Sequence, residues 1–369
     1  MNLQIEVVST DEHYQAIARL RYDIYVQEMG KQPRGLDHVE KTVKDELDRY
    51  ATIFAAFDGD VAVATGSVLP ANALPPNSSW RSFYELSEFP VSDDKKAIFS
   101  KLMVHPAYRG SMALPQLLLA AYDLFRSKQF EVSFMHCAPG LVPMYELLGC
   151  RRYKQGAIDP DVGFRIHMAL LLGDVEYFQR VRSPLLTLAK KYPANEALAT
   201  WFSEHFARYS QPASVRMMDE TTYLTLLSQQ INEERSQLFD GTSNEEFKQL
   251  VRQATVIDAP QGHPILQQGD IGSEMYLVLN GAVEISVFKA DGTERVLKTI
   301  GNGQIFGEGG FLNRVPRNAN VITISPTKFL VLSAEEFERI GRKYPSLAVK
   351  VLLNLCRMLS QRLYSSNQD

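Results

Sequence analysis

A chain of 369 residues that is 45% hydrophobic has material for two or three packed domains, and 39 basic against 43 acidic residues leave a net charge of -4, with no global attraction to nucleic acid or an anionic membrane. Its three cysteines, Cys137, Cys150 and Cys356, are too scattered for a disulfide framework or a zinc site, so no metal is expected and a reducing cytoplasm suits them. No charged leader precedes an apolar run and no stretch approaches ~18 uninterrupted apolar residues, so neither export nor a membrane span is expected.

Strand and helix patterns alternate from residue 3 to about 172. "LQIEVV" is followed by a helix over 11–28, then "TIFAAF", "VAVATGSVL" and "FSKLMV", a helix over 114–127, "VSFMHC", a helix over 139–148 and "FRIHMALLL". This predicts an α/β or α+β domain over 1–172. Helical spacing in "EALATWFSEHFARY" and "TTYLTLLSQQI" predicts a helical connector over 173–235. The remainder, 236–369, opens with two short helices around "SNEEFKQLVRQA". Many short strands between glycine turns follow over 255–332, then helices over 334–341 and 346–364. That pattern predicts a β-roll or jelly roll with a helical tail. "KADGTE" reads as a hairpin in which Gly292 takes the positive φ of a type I′ turn.

"FGEGGFLNRVPRNANV", residues 306–321, carries the most chemistry. Gly307, Gly309 and Gly310 let backbone N–H groups approach an anion, and Arg317 brings a fork of donors suited to phosphate oxygens. Glu308 would repel a phosphate alone but accepts from a ribose hydroxyl, a combination that fits a 3′,5′-cyclic nucleotide. With the glycine framework "QGHPILQQGDIGSEMYLVLNGAVEI", residues 237–364 resemble a cyclic nucleotide-binding domain, as in protein kinase A regulatory subunits and catabolite activator proteins. The resemblance implies that Glu308 takes the ribose hydroxyl and Arg317 the phosphate, with the backbone of Gly309, Gly310 and Ala319 positioning it. Asn318 follows the arginine, where cAMP binders often have a small residue and cGMP binders Thr; cAMP is favoured on prevalence, with cGMP as the alternative. The apolar stripe of the last helix suits a lid over the base or a homodimer seam. No recognition helix follows it, which argues against a DNA-binding activator.

In "FSKLMVHPAYRGSMALPQLLLAAYDLF", Pro115 requires a helix to begin near Ala113 or Leu114, which leaves the N–H groups of 110–114 to face a pyrophosphate. The stretch resembles the acyl-donor motif of GNAT acyltransferases, which implies a donor site at Val104, Arg109, Gly110, Ser111, Met112 and Ala113. Met112 and Leu114 stand where the family has Gly or Ala. "RLRYDIYVQEMG" followed by "DELDRYATIFAAF" resembles acyl-homoserine-lactone synthases and N-acyl amino acid synthases, and "MALLLGDVEYFQRVRSPL" resembles the tail of the latter domains. This implies that Arg21, Glu46 and Asp48 flank the acyl and amine pockets. Later arginines of the lactone enzymes are missing, Lys101 standing for one of them, so a lactone product is not expected.

Acyl transfer to an amine requires a base and an acid that protects the leaving thiolate. The resemblance gives Tyr145 as that acid; Glu46 or Asp48 through water, or His136, is the candidate base. The expectation is a cytoplasmic N-acyltransferase of GNAT-like fold that moves an acyl group from acyl-CoA or an acyl-carrier protein to an amine, either an amino acid or a protein lysine, under cyclic nucleotide control. The alternative is a nucleotide sensor whose GNAT-like domain is a catalytically inactive platform.

Overall fold

The computed structural model describes residues 3–159, 163–209, 212, 236–289, 291–313 and 315–366. The strands of the first domain are β1 (Gln4–Val7), β2 (Leu36–Asp37), β3 (Thr42–Val43), β4 (Thr52–Asp58), β5 (Val61–Pro70), β6 (Lys96–Val104), β7 (Val132–Cys137), β8 (Arg151–Arg152), β9 (Ala157–Asp159) and β10 (Gly163–Leu171). Eight of them form one sheet in the order β1-β4-β5-β6-β7-β10-β8, with β9 on β10, while β2 and β3 pair separately. Both faces of the sheet are covered, which is why its strands read as nearly continuous apolar runs. In β4, Phe54 and Ala56 face one core while Ile53, Ala55 and Phe57 face the other.

Helix α1 (Asp11–Tyr22) is capped by Thr10, whose hydroxyl accepts from His13 N–H, and it continues as a wider π turn over Asp23–Glu28. Next come α2 (Ser79–Phe83), α3 (Ala113–Ser127) and α4 (Val142–Leu148). Leu117, Ala121 and Phe125 of α3 pack on the face that holds Phe54 and Met135. The helices α5 (Val175–Arg180), α6 (Leu186–Ala189) and α7 (Glu196–His205) fall in the expected connector, yet they are part of this packing. Phe178 and Ala189 join the α3 side, and Phe202 and Phe206 join Phe89, Phe134 and Tyr153 on the opposite face. The expected helix at "TTYLTLLSQQI" lies outside the described residues.

Two features of the sheet position the chemistry. Strands β6 and β7 run parallel but pair only where Lys96–Ile98 meets Val132–Phe134, and beyond that point they part. On the other side of β6 the register with β5 slips between Ser100 and Met103, and Lys101 sits in the bulge with φ of 55°. The mixed α/β architecture with its eight-stranded sheet fits the expected GNAT-like fold.

The second domain is a β-roll. Strands β11 (Thr255–Ala259), β12 (Pro264–Leu266), β13 (Glu274–Asn280), β14 (Val283–Phe288), β15 (Glu294–Ile300), β16 (Ile305–Phe306), β17 (Asn320–Thr323) and β18 (Thr327–Ser333) form two four-stranded sheets, β11-β18-β13-β16 and β12-β17-β14-β15. Alternation in β13 sends Tyr276 and Val278 into the core shared by the sheets, and Met275, Leu277 and Leu279 toward the helices Asn244–Val251, Ala334–Lys343 and Pro345–Ser366. Gly292 has φ of 79°, but its own N–H closes the turn onto Lys289 O. It is therefore the last residue of a longer loop, not a central residue of the expected two-residue type I′ turn. Within 306–321, residues Glu308–Asn313 form a short helix.

Candidate active site and nucleotide site

The bulge and the split bring one set of expected residues together. Arg21, fully buried, donates to Asp48 through Nη1 at 2.5 Å and Nη2 at 3.1 Å. Lys101 reaches the same carboxylate at 2.9 Å and Asp45 at 2.7 Å, and the Tyr14 hydroxyl donates to Asp48 at 2.9 Å. Burial pushes the Asp48 carboxyl up, but the hydrogen bonds and charges of Arg21 and Lys101 outweigh that and bring it to about 2. A carboxylate so held is a poor proton acceptor. Glu46 is exposed and stands outside this cluster; Asp45 occupies the place that the sequence reading gave it. The signal for Asp45 was its spacing from Asp48, since the two form a capping box at the turn Glu46–Tyr50.

On the same sheet face, His136 pairs across the ladder with His167. The Tyr84 hydroxyl lies 2.7 Å from His136 Nδ1, and Asp159 lies 3.7 Å from Nε2. Burial lowers the His136 pKa to about 4, with Asp159 opposing and Arg165 adding to the shift, so the ring is neutral near pH 7. Tyr84 and Asp159 escaped the sequence reading because they lie on other elements with no local pattern of their own. Tyr145 is buried in α4, and its hydroxyl has no hydrogen-bond partner among the described residues. Burial raises its pKa strongly, so it remains a protonated donor.

The donor loop departs from expectation. Met112 caps α3 at Ala113, as Pro115 required, but Ser111 N–H bonds Tyr108 O at 3.2 Å and Ala113 N–H bonds Ser111 Oγ at 3.2 Å. The turn over Pro106–Tyr108 supplies the first partner and the Ser111 side chain the second, so the N–H groups of 110–114 are not all free for a pyrophosphate. Gly110 has φ of 78° and open space beside it. Arg109 donates to the Val104 carbonyl and to both oxygens of Glu28, at 2.7 and 2.6 Å, and Met112 is 60% exposed.

In the roll, Arg317 is buried and donates to Gly307 O at 2.8 Å and to Glu274 at 3.2 Å. Its surroundings admit only glycine at close range. A Cβ would stand 2.7 Å from its Nη1 at Gly310, 2.9 Å from its Nη2 at Gly272 and 3.1 Å from its Nη1 at Gly307. This shell fits a phosphate group, being a buried guanidinium ringed by backbone. Glu308 pairs with Arg362 of the C-terminal helix, and Arg362 also donates to Ile305 O at 2.7 Å. The ribose-binding candidate is thus tied to the expected lid. Ala319 is nearly buried, Gly309 has open space where a Cβ would go, and Asn318 is exposed.

A cavity of about 600 Å³ lies between the first domain and the roll, and neither His136, Tyr145 nor Glu308 lines it. Arg109, Gly140, Met144 and Arg165 line it from the first domain, and Glu274 and Arg317 from the roll. Around it Lys31 pairs with Asp270, the Phe164 and His263 rings meet edge to face at 5.4 Å, and a Cβ on Gly140 would stand 3.2 Å from Glu274 Oε1.

Residues 16–171 match the family described as N-acyl amino acid synthase FeeM, and residues 256–344 match the cyclic nucleotide-binding domain. The first domain is thus similar to N-acyl amino acid synthases and the second to cyclic nucleotide-binding domains. Among curated proteins it is 34% identical over 134 residues to the cyclic AMP receptor protein of Thermus thermophilus, covering 36% of this chain and 60% of that one. It is 32% identical over 124 residues to the cAMP-dependent protein kinase regulatory subunit of Blumeria graminis, covering 34% of this chain and 31% of that one. A solved cyclic nucleotide-binding domain from Methylobacillus flagellatus shares 28% identity over 38% of this chain and 83% of its own, with a TM-score of 0.36. The chain spans 60% and 58% of the length of the first curated relatives it matches. No helix among the described residues is long and apolar enough to cross a membrane.

Proposed function

We propose that this protein is a GNAT-type N-acyltransferase that moves an acyl group from a thioester donor, acyl-CoA or an acyl-carrier protein, to an amine, and that a cyclic nucleotide held by Arg317 and Glu308 activates it. In the reaction the amine nitrogen attacks the thioester carbonyl, a C–N bond forms and the C–S bond breaks. His136 takes the proton from the amine, and Tyr145 gives its hydroxyl proton to the departing thiolate. A neutral His136 and a protonated Tyr145 are the forms those roles need.

One observation carries the regulatory part: Glu274 bonds Arg317 with one oxygen and abuts Gly140, at the open end of the β6–β7 split, with the other. When Arg317 exchanges Glu274 for a phosphate, the Glu274 carboxylate loses its buried partner beside Gly140. A buried charge without a partner is costly, so the roll is driven away from the split and the donor gains entry. cAMP is the favoured effector and cGMP the alternative.

The second reading, a nucleotide sensor with an inactive first domain, is favoured by the locally satisfied donor loop and the Arg109–Glu28 pair. Incubation of the intact chain with medium-chain acyl-CoA or acyl-carrier protein and an amino acid mixture, with and without cAMP or cGMP, separates the two. N-acyl amino acid detected by mass spectrometry and increased by nucleotide supports the enzyme. Nucleotide binding without any acylated product supports the sensor.

A further inference from the structure

Four arginines line the cavity between the domains, and three of them have carboxylate partners: Arg109 with Glu28, Arg317 with Glu274, and Arg339 with Glu336. Arg165 has none among the described residues, and its one hydrogen bond there runs from Nη1 to the carbonyl of its neighbour Phe164, at 2.8 Å. The acids on the cavity wall do not compensate it. Glu28, Asp270, Glu274 and Glu336 are each paired with another base, and Glu335 is exposed to water. Burial raises the Tyr276 pKa and the charge of Arg165 works against it, so the arginine lies within electrostatic reach of the roll. A guanidinium with most of its five donors unused on the wall of a cavity is equipped to take an oxyanion from outside the chain.

The other walls say what that oxyanion is attached to. Leu141, just before α4, and Leu147 within it keep 48% and 49% of their surface exposed although both line the cavity, and Met29 and Met144 lie on the same wall. The roll adds Leu266 and Ile271. Half-open leucines on a concave wall gain from an apolar group that covers them, and thioethers adapt to a flexible chain. A volume of about 600 Å³ is within the range of small-molecule sites. With five carboxylates on the wall, a ligand with two negative charges is repelled more than one with a single charge. The fork of one guanidinium matches the two oxygens of one carboxylate.

We propose that this cavity binds an alkyl carboxylate, a fatty acid of medium chain length, with its carboxylate on Arg165 and its chain between α4 and the roll. The thioester donor does not meet this description, because the head of its acyl chain is uncharged. A fatty acid so placed touches both domains at once and is held only while the roll rests on the first domain. Resting on the reading that a cyclic nucleotide drives the roll away, fatty acid and nucleotide then oppose each other.

The test measures the Tm of the intact chain with sodium decanoate, decanol or sodium butyrate at matched ionic strength, for the wild type, Arg165→Gln and Leu147→Asp. Decanoate is expected to raise the wild-type Tm more than either control. Arg165→Gln loses one charged contact and is expected to weaken decanoate binding by about 10- to 100-fold, leaving the response to decanol as it was. Leu147→Asp puts a charge where the chain lies; at a half-exposed position it spares the fold and removes the response to decanoate. In calorimetry, saturating decanoate lowers the affinity for cAMP by about 5-fold or more, and Arg165→Gln removes the effect. Decanol that stabilises the wild type as well as decanoate does would reveal a site for an apolar chain alone and overturn the proposal. So would a decanoate response that is unchanged in Arg165→Gln. A response that depends on Arg165 with an unaltered cAMP affinity keeps the site and defeats the reading of a displaced roll. If the chain binds no cyclic nucleotide, the Tm comparison decides the site by itself.

Discussion

Arg317 donates to Glu274 at 3.2 Å, so the arginine expected to take a phosphate already holds a carboxylate of its own domain. Both side chains are almost wholly withdrawn from water, where a pair is worth little beyond a neutral substitute but a lone charge is expensive. Phosphate and Glu274 must therefore compete for one guanidinium. Glu274→Gln keeps the shape and removes the charge; it is expected to bind cyclic nucleotide about 10-fold more tightly in calorimetry and to raise acyl transfer measured without nucleotide.

Breaking the Arg21–Asp48–Lys101 cluster from one side is expected to be costly. Asp48→Asn leaves the fully buried Arg21 without its counter-charge, and chemical unfolding should register a loss of about 3–5 kcal/mol. Because the folded pKa of Asp48, about 2, lies below its unfolded value of 3.8, its contribution is complete above 3.8 and is lost as pH falls toward 2.

The histidines set a different window. Burial lowers the pKa of His136 to about 4 and of His167 to about 2, from 6.5 unfolded. Between pH 6.5 and 4 the unfolded chain binds these protons and the folded chain does not, so stability falls as pH falls. The slope approaches about 1.4 kcal/mol per pH unit for each histidine. Unfolding midpoints measured across this range should be visibly flatter in His167→Phe than in the wild type.

Tyr145→Phe removes only a hydroxyl that has no partner among the described residues, so its Tm should stay within a degree or two of the wild type, of the order expected when no mechanism of destabilisation is engaged. If Tyr145 protonates the thiolate, kcat for acyl transfer falls by about 10²- to 10⁴-fold. A fall in Tm with an unchanged kcat would make Tyr145 a packing residue.

Much of this was legible in the sequence because it is written in local patterns. The glycine spacing around Arg317, the Pro115 helix start and the apolar runs of β4 to β7 each depend on neighbours a few residues apart. The partners that define the sites do not. Glu274 is 43 residues from Arg317, Arg362 is 54 from Glu308, and Tyr84 is 52 from His136, and no short-range periodicity marks such pairs. Asp45 and not Glu46 faces the cluster because a turn of 3₁₀ helix, whose side chains point at intervals unlike those of a strand, decides which acid faces inward. The helices α5 to α7 read as a connector because their apolar faces reveal burial and not the surface they bury against.

We propose that nucleotide site and donor cleft are coupled through the contact of Glu274 with Arg317 and Gly140. The most direct test of that coupling is a calorimetric titration of the intact chain with cAMP, and in parallel with cGMP, in the presence and absence of a non-reactive thioether analogue of an acyl-CoA. Coupling of the usual size predicts that the analogue tightens nucleotide binding by about 5- to 150-fold, with a reciprocal gain for the analogue, and that Glu274→Gln abolishes the difference. Nucleotide affinities that are the same with and without a bound analogue would contradict it.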